Sequence, residues 1–342
     1  MALLEARNLT ISIRREKKYY TAVNGIDFKI DAGEIIALAG ESGSGKSLTA
    51  LSIPGLLSER AKITGGEILY SSGKGIIDLR KTKEKALRQI RGKEISMIFQ
   101  EPRQSLNPLM KIGAQITEVL KLHSYTKTPC TSRLSNGQQS SVVISYNKLA
   151  LEILEKLQFP DPEKIMEAWP HQLSGGMCQR VMIAIAAICR PKLLIADEPT
   201  TALDTANQNH ILELLKQINR EFGTAILFIS HDISVARHFC SRFMVMYSGR
   251  IIEEGPSEAI LSSPLHPYTI ALAASIPRKE NKGKPLANIP GRAPPLEETI
   301  TGCHFAPRCP RAKEQCKKSL PPLAQTGGGR YARCFFTEAA NA

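Results

Sequence analysis

The chain has 342 residues, 42% hydrophobic and 23% charged, which suits one large globular domain with an appendage, or two domains. No apolar run approaches the ~18 residues that cross a bilayer, and the first residues, with Glu5 and Arg7, carry no apolar leader core; the expected place is the cytosol or the cytosolic face of a membrane. The net charge of +13 is concentrated in basic runs at 74–93 and 278–334, read first as solvated faces, then as attracted to an anionic membrane surface, and last as binding nucleic acid, because no aromatic residues interleave them.

In chain order, residues 9–13, 22–30 and 35–39 are short runs that alternate apolar with polar or are wholly apolar, and read as strands. Tyr20, just before the second run, is the candidate to stack on an adenine ring; a plain edge-strand aromatic is the alternative. The third strand enters Gly40-Glu41-Ser42-Gly43-Ser44-Gly45-Lys46-Ser47, the pattern G-x-x-x-x-G-K-[ST], and Leu48 opens a stretch with helical spacing. A strand, a glycine-rich turn and a helix start aim backbone N–H groups and a positive helix end at phosphate oxygens. Gly40 through Leu48 form the expected cradle of a nucleoside triphosphate, with Lys46 on its β- and γ-phosphates and the Ser47 hydroxyl on Mg²⁺.

Residues 66–79 read as a hairpin, 83–91 as a basic helix and 95–100 as a buried strand. That strand ends at Gln100, on the edge where a parallel sheet binds ligands. Helices are expected over 112–122 and 148–168, parts of a helical subdomain at about 101–175, with a polar surface loop at 124–145. An apolar strand at 192–198 ends in Asp197 and Glu198. A helix at 207–222 follows, then a strand at 225–230 that ends at His231, and a last strand at 243–247 turning into 250–255. Strands alternating with helices around a phosphate loop give a parallel-sheet α/β core. Prolines recur after 255, which places a domain boundary there, 1–255 against 256–342.

A carboxylate at Asp197 can hold Mg²⁺ through water opposite Ser47, and Glu198 can polarise a water for attack on the γ-phosphate. Leu173-Ser174-Gly175-Gly176-Met177 precedes a long apolar helix. Ser174 can cap it, and the two glycines bare its first N–H groups, making either a second anion site or a simple capped helix start. A second phosphate-type site beside one phosphate loop suggests a dimer in which each subunit completes its partner's site. The similar string at 134–139 has no apolar helix after it and is assigned to the polar insertion.

Cys130, Cys178, Cys189 and Cys240 are scattered and read as buried or free thiols. Cys303, Cys309, Cys316 and Cys334 crowd into the tail. Structural disulfides are not expected in an intracellular ATP-using protein, so these four point to a metal. Their spacing suits a tetrahedral or a cubane site, with zinc the generic guess and free thiols the alternative.

Together these motifs resemble the ATP-binding subunits of ABC transporters over 1–255: the phosphate loop at 40–47, Gln100, the signature at 173–177, the strand at 193–197, Glu198, the loop Ala202-Leu203-Asp204, and His231. The resemblance implies a P-loop NTPase fold, a RecA-like parallel core with an antiparallel β subdomain and a helical subdomain. It implies a head-to-tail dimer, with an identical chain or a paralogue, that sandwiches ATP between one subunit's phosphate loop and the other's Ser174, Gly175 and Gly176, with Asp204 nearby. Gln100 would join Ser47 and Asp197 at Mg²⁺, sense the γ-phosphate and relay to two membrane permease subunits, and His231 would hold that phosphate. Met177 departs from the usual glutamine of the signature. The tail strings Pro264-Leu265-His266-Pro267-Tyr268-Thr269, Ile289-Pro290-Gly291 and Gly302-Cys303 to Cys316 look like the C-terminal region of oligopeptide, dipeptide and nickel importer ATPases. That implies a 4Fe–4S cluster on Cys303, Cys309, Cys316 and Cys334, and an external substrate-binding protein. The expected function is ATP-driven import from the cytoplasmic face of the membrane, of peptides first and nickel or a metal chelate second. A soluble ABC ATPase acting on DNA or ribosomes is the reading from another class, disfavoured because the chain has one cassette and no long coiled coil.

Overall fold

The computed structural model describes residues 2–73, 75–123, 130–133, 139–142, 145–201, 203–237, 239–275 and 289–337. The string at 134–138 and Ala202 lie outside them. The chain divides into two compact units, Met1–Lys83 with Ala225–Ala342, and Glu84–Thr224.

The first unit begins with β1 (Ala2–Arg15) and β2 (Lys18–Asp31), each 14 residues long. They exceed the runs at 9–13 and 22–30 because the antiparallel ladder continues through polar residues as far as Arg15 opposite Lys18. β3 (Ile35–Ala39) follows, then α1 (Lys46–Ser52), β4 (Ala61–Ser72) and β5 (Gly75–Asp78). An antiparallel sheet runs in the order β2-β1-β4-β5.

The second unit opens with α2 (Glu84–Ile90), β6 (Ile95–Ile98), α3 (Pro102–Ser105) and α4 (Ile112–Leu122). The backbone of 130–133 (β7) pairs antiparallel with that of 139–142 (β8), so the insertion expected as a loop contains a short strand pair. The single helix expected at 148–168 is two, α5 (Tyr146–Lys156) and α6 (Pro162–Glu167). Gln158 takes φ 58°, outside helical space, and Asp161 with Pro162 starts a new helix, its carboxylate accepting from the Lys164 N–H at 3.0 Å. α7 (Gly175–Ala187) is apolar nearly all round, as a core helix is. β9 (Leu193–Asp197) is wholly buried and pairs parallel with β6, Ile98 opposite Ala196. α8 (Thr205–Phe222) ends at Gly223, whose φ of 65° is the left-handed conformation of a helix C-terminus.

The chain then returns to the first unit with β10 (Ala225–Ser230), α9 (Ile233–Ala236), β11 (Arg242–Tyr247) and β12 (Arg250–Pro256). The tail adds α10 (Ser257–Ser262), α11 (Pro267–Ala274), α12 (Glu314–Lys318), β13 (Ala324–Gly327) and β14 (Arg330–Ala332). Within this unit the strand order is β13-β14-β12-β11-β3-β10. β3 lies parallel to β10 and to β11, and β14 extends the sheet through Glu253 opposite Ala332. The tail therefore shares the sheet that carries the phosphate loop. Glu253 fastens it. This wholly buried carboxylate accepts from the Leu265 and His266 N–H groups at 2.8 Å each and pairs with Arg330 at 3.2 Å. Among the described residues no helix is long and apolar enough to cross a membrane.

Candidate functional site

In the first unit, buried β3 delivers the chain to Gly40, whose φ is 150°. A Cβ there would lie 2.1 Å from the Met246 carbonyl oxygen of β11, so only glycine fits. Gly45 at φ 105° is the left-handed N-cap of α1, pressed against Met246 and Val23. Lys46 is buried, its Nζ donating to the Gly40 carbonyl at 2.7 Å and the Glu41 carbonyl at 2.9 Å. The Ser44 Oγ is buried within the loop and has no hydrogen-bond partner, an unmet polar group in the wall of the cradle. Ser42 and Gly43 are exposed, and Ser47 and Leu48 half-buried.

Thr21, Ala22 and the loop residues 41–44 line a cavity together with residues 293–296 and His304. Tyr20 is half-buried on β2 opposite Ile13; its two successors line the cavity and its own ring does not. The Tyr19 ring instead carries the Lys62 ammonium, 3.8 Å from its centroid. His231 is exposed just past β10, where the Ser230 hydroxyl accepts from the Asp232 N–H at 2.9 Å.

In the second unit, β6 and β9 lie side by side and parallel, so Gln100 and Glu198 emerge at the same end. The Gln100 Nε2 donates to the Glu198 Oε2 at 3.2 Å, and the Thr201 hydroxyl donates to the same oxygen at 2.9 Å. Glu198 sits at φ 50°, a conformation uncommon outside glycine and asparagine and one that clusters at functional sites. Asp197, the last residue of β9, is buried. Residues 100 and 198, named separately from the sequence, are thus joined.

Ser174 caps α7, its Oγ accepting from the Met177 N–H at 3.3 Å, a contribution of about 1 kcal/mol. Gly175 is exposed, and a Cβ there would meet nothing within 4 Å. The space over Gly176 is bounded by Asn207, which also binds Asp204 through its N–H at 2.9 Å and its amide at 2.7 Å. Those two bonds hold the Asp204 carboxyl below the usual range. Signature and Asp204 loop thus meet at one exposed corner of this unit.

In the tail, Cys303, Cys309, Cys316 and Cys334 line one cavity together with Phe305, Phe336 and Arg311. All four are free thiols, as are the buried Cys178, Cys189 and Cys240. Burial raises the Cys303 thiol to about 11 and pushes Cys309 and Cys334 up as well, so these sulfurs would carry charge only beside a cation. The Arg311 Nη1 is buried in that wall with no partner, and the Phe336 N–H donates to the Cys334 sulfur at 3.4 Å. No group of three or more His, Cys, Asp or Glu among the described residues closes on a single metal ion. Four thiols and an unmet cationic donor thus share one apolar cavity.

Sequence reading missed the residues that tie the tail to the phosphate loop. The Glu41 N–H donates to the Tyr268 hydroxyl at 2.8 Å, and Arg308 meets the Glu41 carboxylate at 2.8 and 3.0 Å. No local pattern signals contacts between positions so far apart in the chain.

Known proteins agree with this layout. The ABC transporter family profile matches residues 23–201, and the profile described as the oligopeptide/dipeptide transporter C-terminal region matches 252–316. The chain is 45% identical over 337 residues to the oligopeptide transport ATP-binding protein AppD of Bacillus subtilis (strain 168), covering 98% of this chain and 97% of that protein. It is 42% identical over 334 residues to OppD of Escherichia coli (strain K12), also an oligopeptide transport ATP-binding protein, covering 98% of this chain and 93% of that one. The dimeric post-hydrolysis structure of the ATP-binding cassette MJ0796 bound to ADP and Pi superposes with a TM-score of 0.61 at 30% identity, over 74% of this chain and 98% of that one.

Proposed function

Because the chain belongs to the ATP-binding subunits of ABC transporters and carries the oligopeptide/dipeptide C-terminal region, we propose that it hydrolyses ATP to drive peptide uptake through partner permease subunits. The observation that carries this reading is the Gln100–Glu198 pair at the ends of two parallel strands, in a chain matched over nearly its whole length by oligopeptide transport ATPases. In this reading residues 1–255 are the ATPase domain, with the helical subdomain at about 101–175, and 256–342 are a C-terminal extension.

The phosphate loop from Gly40 to Leu48 receives the triphosphate, with Lys46 leaving its own loop carbonyls for phosphate oxygens. Mg²⁺, when bound, would neutralise phosphate charge, and Ser47, Gln100 and Asp197 are the residues that would hold it. Glu198, oriented by the two donors on its Oε2, takes a proton from the attacking water, and His231 steadies the γ-phosphate. Since Gln100 bonds that same carboxylate, a shift at Gln100 is felt at the catalytic base. Ser174, Gly175 and Gly176, with Asp204, complete the site of a second ATPase subunit, identical or a paralogue, in a head-to-tail dimer. The partners are that subunit, two permeases and an external binding protein, without nucleic acid, at the cytoplasmic face of the membrane. Cys303, Cys309, Cys316 and Cys334 would hold a 4Fe–4S cluster, which would staple a small, proline-rich tail.

The test is uptake in a strain lacking this chain, offered labelled peptides and, separately, Ni²⁺. Restored peptide uptake with wild type, and none with Glu198→Gln, is expected, along with a fall in turnover of about 10²–10⁴-fold. Restored Ni²⁺ uptake alone would overturn the peptide assignment. Wild-type turnover by Glu198→Gln would remove its role. Anaerobic purification should give a brown protein with iron and labile sulfide; an iron-free, colourless, active protein would remove the cluster.

A further inference from the structure

The phosphate loop carries a carboxylate where its ligand carries several negative charges. Glu41, the second residue of the loop, lies beside Ser42, Gly43 and Ser44 in the cavity wall, with its side chain 30% exposed. Left alone, that charge would repel a triphosphate, and more strongly the more phosphates the nucleotide bears.

It is not left alone. The Arg308 side chain is 5% exposed and every one of its five N–H donors has an acceptor. Nη1 reaches the Glu41 Oε2 at 2.8 Å and the Tyr247 hydroxyl at 3.3 Å. Nη2 reaches the Glu41 Oε1 at 3.0 Å and the Ile289 carbonyl at 3.2 Å, and Nε reaches the Pro290 carbonyl at 2.9 Å. This two-pronged pairing fits a guanidinium and not an ammonium. A second tail group holds the same residue by its backbone, the Tyr268 hydroxyl accepting from the Glu41 N–H at 2.8 Å. The socket is firm, since the Tyr247, Tyr268 and Phe305 rings pack with centroids 4.7, 5.3 and 5.5 Å apart.

We propose that Arg308 is a positioning residue for the nucleotide: it neutralises Glu41 and fixes the outer limb of the phosphate loop, so that affinity for a triphosphate depends on the C-terminal extension. This rests on the reading of the loop as an ATP cradle. The device also explains how a loop with an acidic second residue serves an anionic ligand, its charge being cancelled by a residue from the tail.

The experiment measures ATP and ADP dissociation constants, kcat and KM on the purified full chain, in wild type, Arg308→Ala, Arg308→Lys, Glu41→Gln and the double variant Arg308→Ala/Glu41→Gln. Failure of wild type to bind ATP would remove the cradle reading itself, before Arg308 is at issue. Given binding, Arg308→Ala is expected to weaken ATP about tenfold and ADP less, raising KM with little change in kcat. Glu41→Gln, leaving the guanidinium unbalanced, is expected to tighten ATP several-fold. Removing both charges should restore ATP affinity to within about twofold of wild type. A double variant as weak as Arg308→Ala would mean that cancelling the Glu41 charge plays no part in nucleotide affinity, and would overturn the proposal. If Arg308→Ala does not fold, Arg308→Lys decides: an intermediate loss, larger for ATP than ADP, supports the proposal, and wild-type affinity for both contradicts it.

Discussion

Two glycine turns lead into helices in this chain, 40–47 into α1 and 174–176 into α7, and they are finished in opposite ways. The first is completed from within: Gly40 lies hard against the Met246 carbonyl, and Glu41 is held by Tyr268 and Arg308. The second is only capped, by Ser174, and Gly175 faces open space. A cradle whose shape is fixed on folding binds its ligand without further ordering cost. A turn whose first glycine faces open space is what the proposed site, shared between two subunits, requires.

Alanine at each glycine separates the two cases. Gly40→Ala forces a left-handed φ on a side chain and drives its Cβ into backbone; it should cost about 3–5 kcal/mol and abolish ATP binding, read by denaturation midpoint and nucleotide titration. Retained stability would mean the loop is not fixed by that contact. Gly175→Ala has the smaller effect. The folded chain should keep its stability within about 0.5 kcal/mol and its own nucleotide affinity. In the assembled transporter its turnover should fall about tenfold, because the added methyl stands where the partner's phosphates approach. Unchanged turnover would make the turn a plain helix start.

What was legible in the sequence was what is local. The strand into Gly40, the α4 boundaries and the Ser174 cap follow from periodicity and from residue types at adjacent positions. Gln100 and Glu198 could be placed because both close apolar strands, and parallel strands bring their ends together. The break of 148–168 into two helices was signalled by Asp161-Pro162, but apolar spacing on both sides masked it. The Arg308–Glu41 clamp left no trace, since a long-range ion pair needs the tail's sheet pairing to exist before it has any pattern. The four tail cysteines could be grouped by spacing, while their gathering around one cavity with Arg311 came only from the fold.

The contrast between the two turns is tested most directly by a photo-crosslink. A benzophenone amino acid incorporated at exposed His171, three residues before the turn, in the Glu198→Gln background of the assembled transporter, reports what that turn faces when nucleotide is bound. With ATP it should capture the other ATPase subunit at its phosphate loop, and without ATP the product should largely vanish. Capture confined to the same chain, or capture indifferent to ATP, would contradict the account of a site finished by a neighbour.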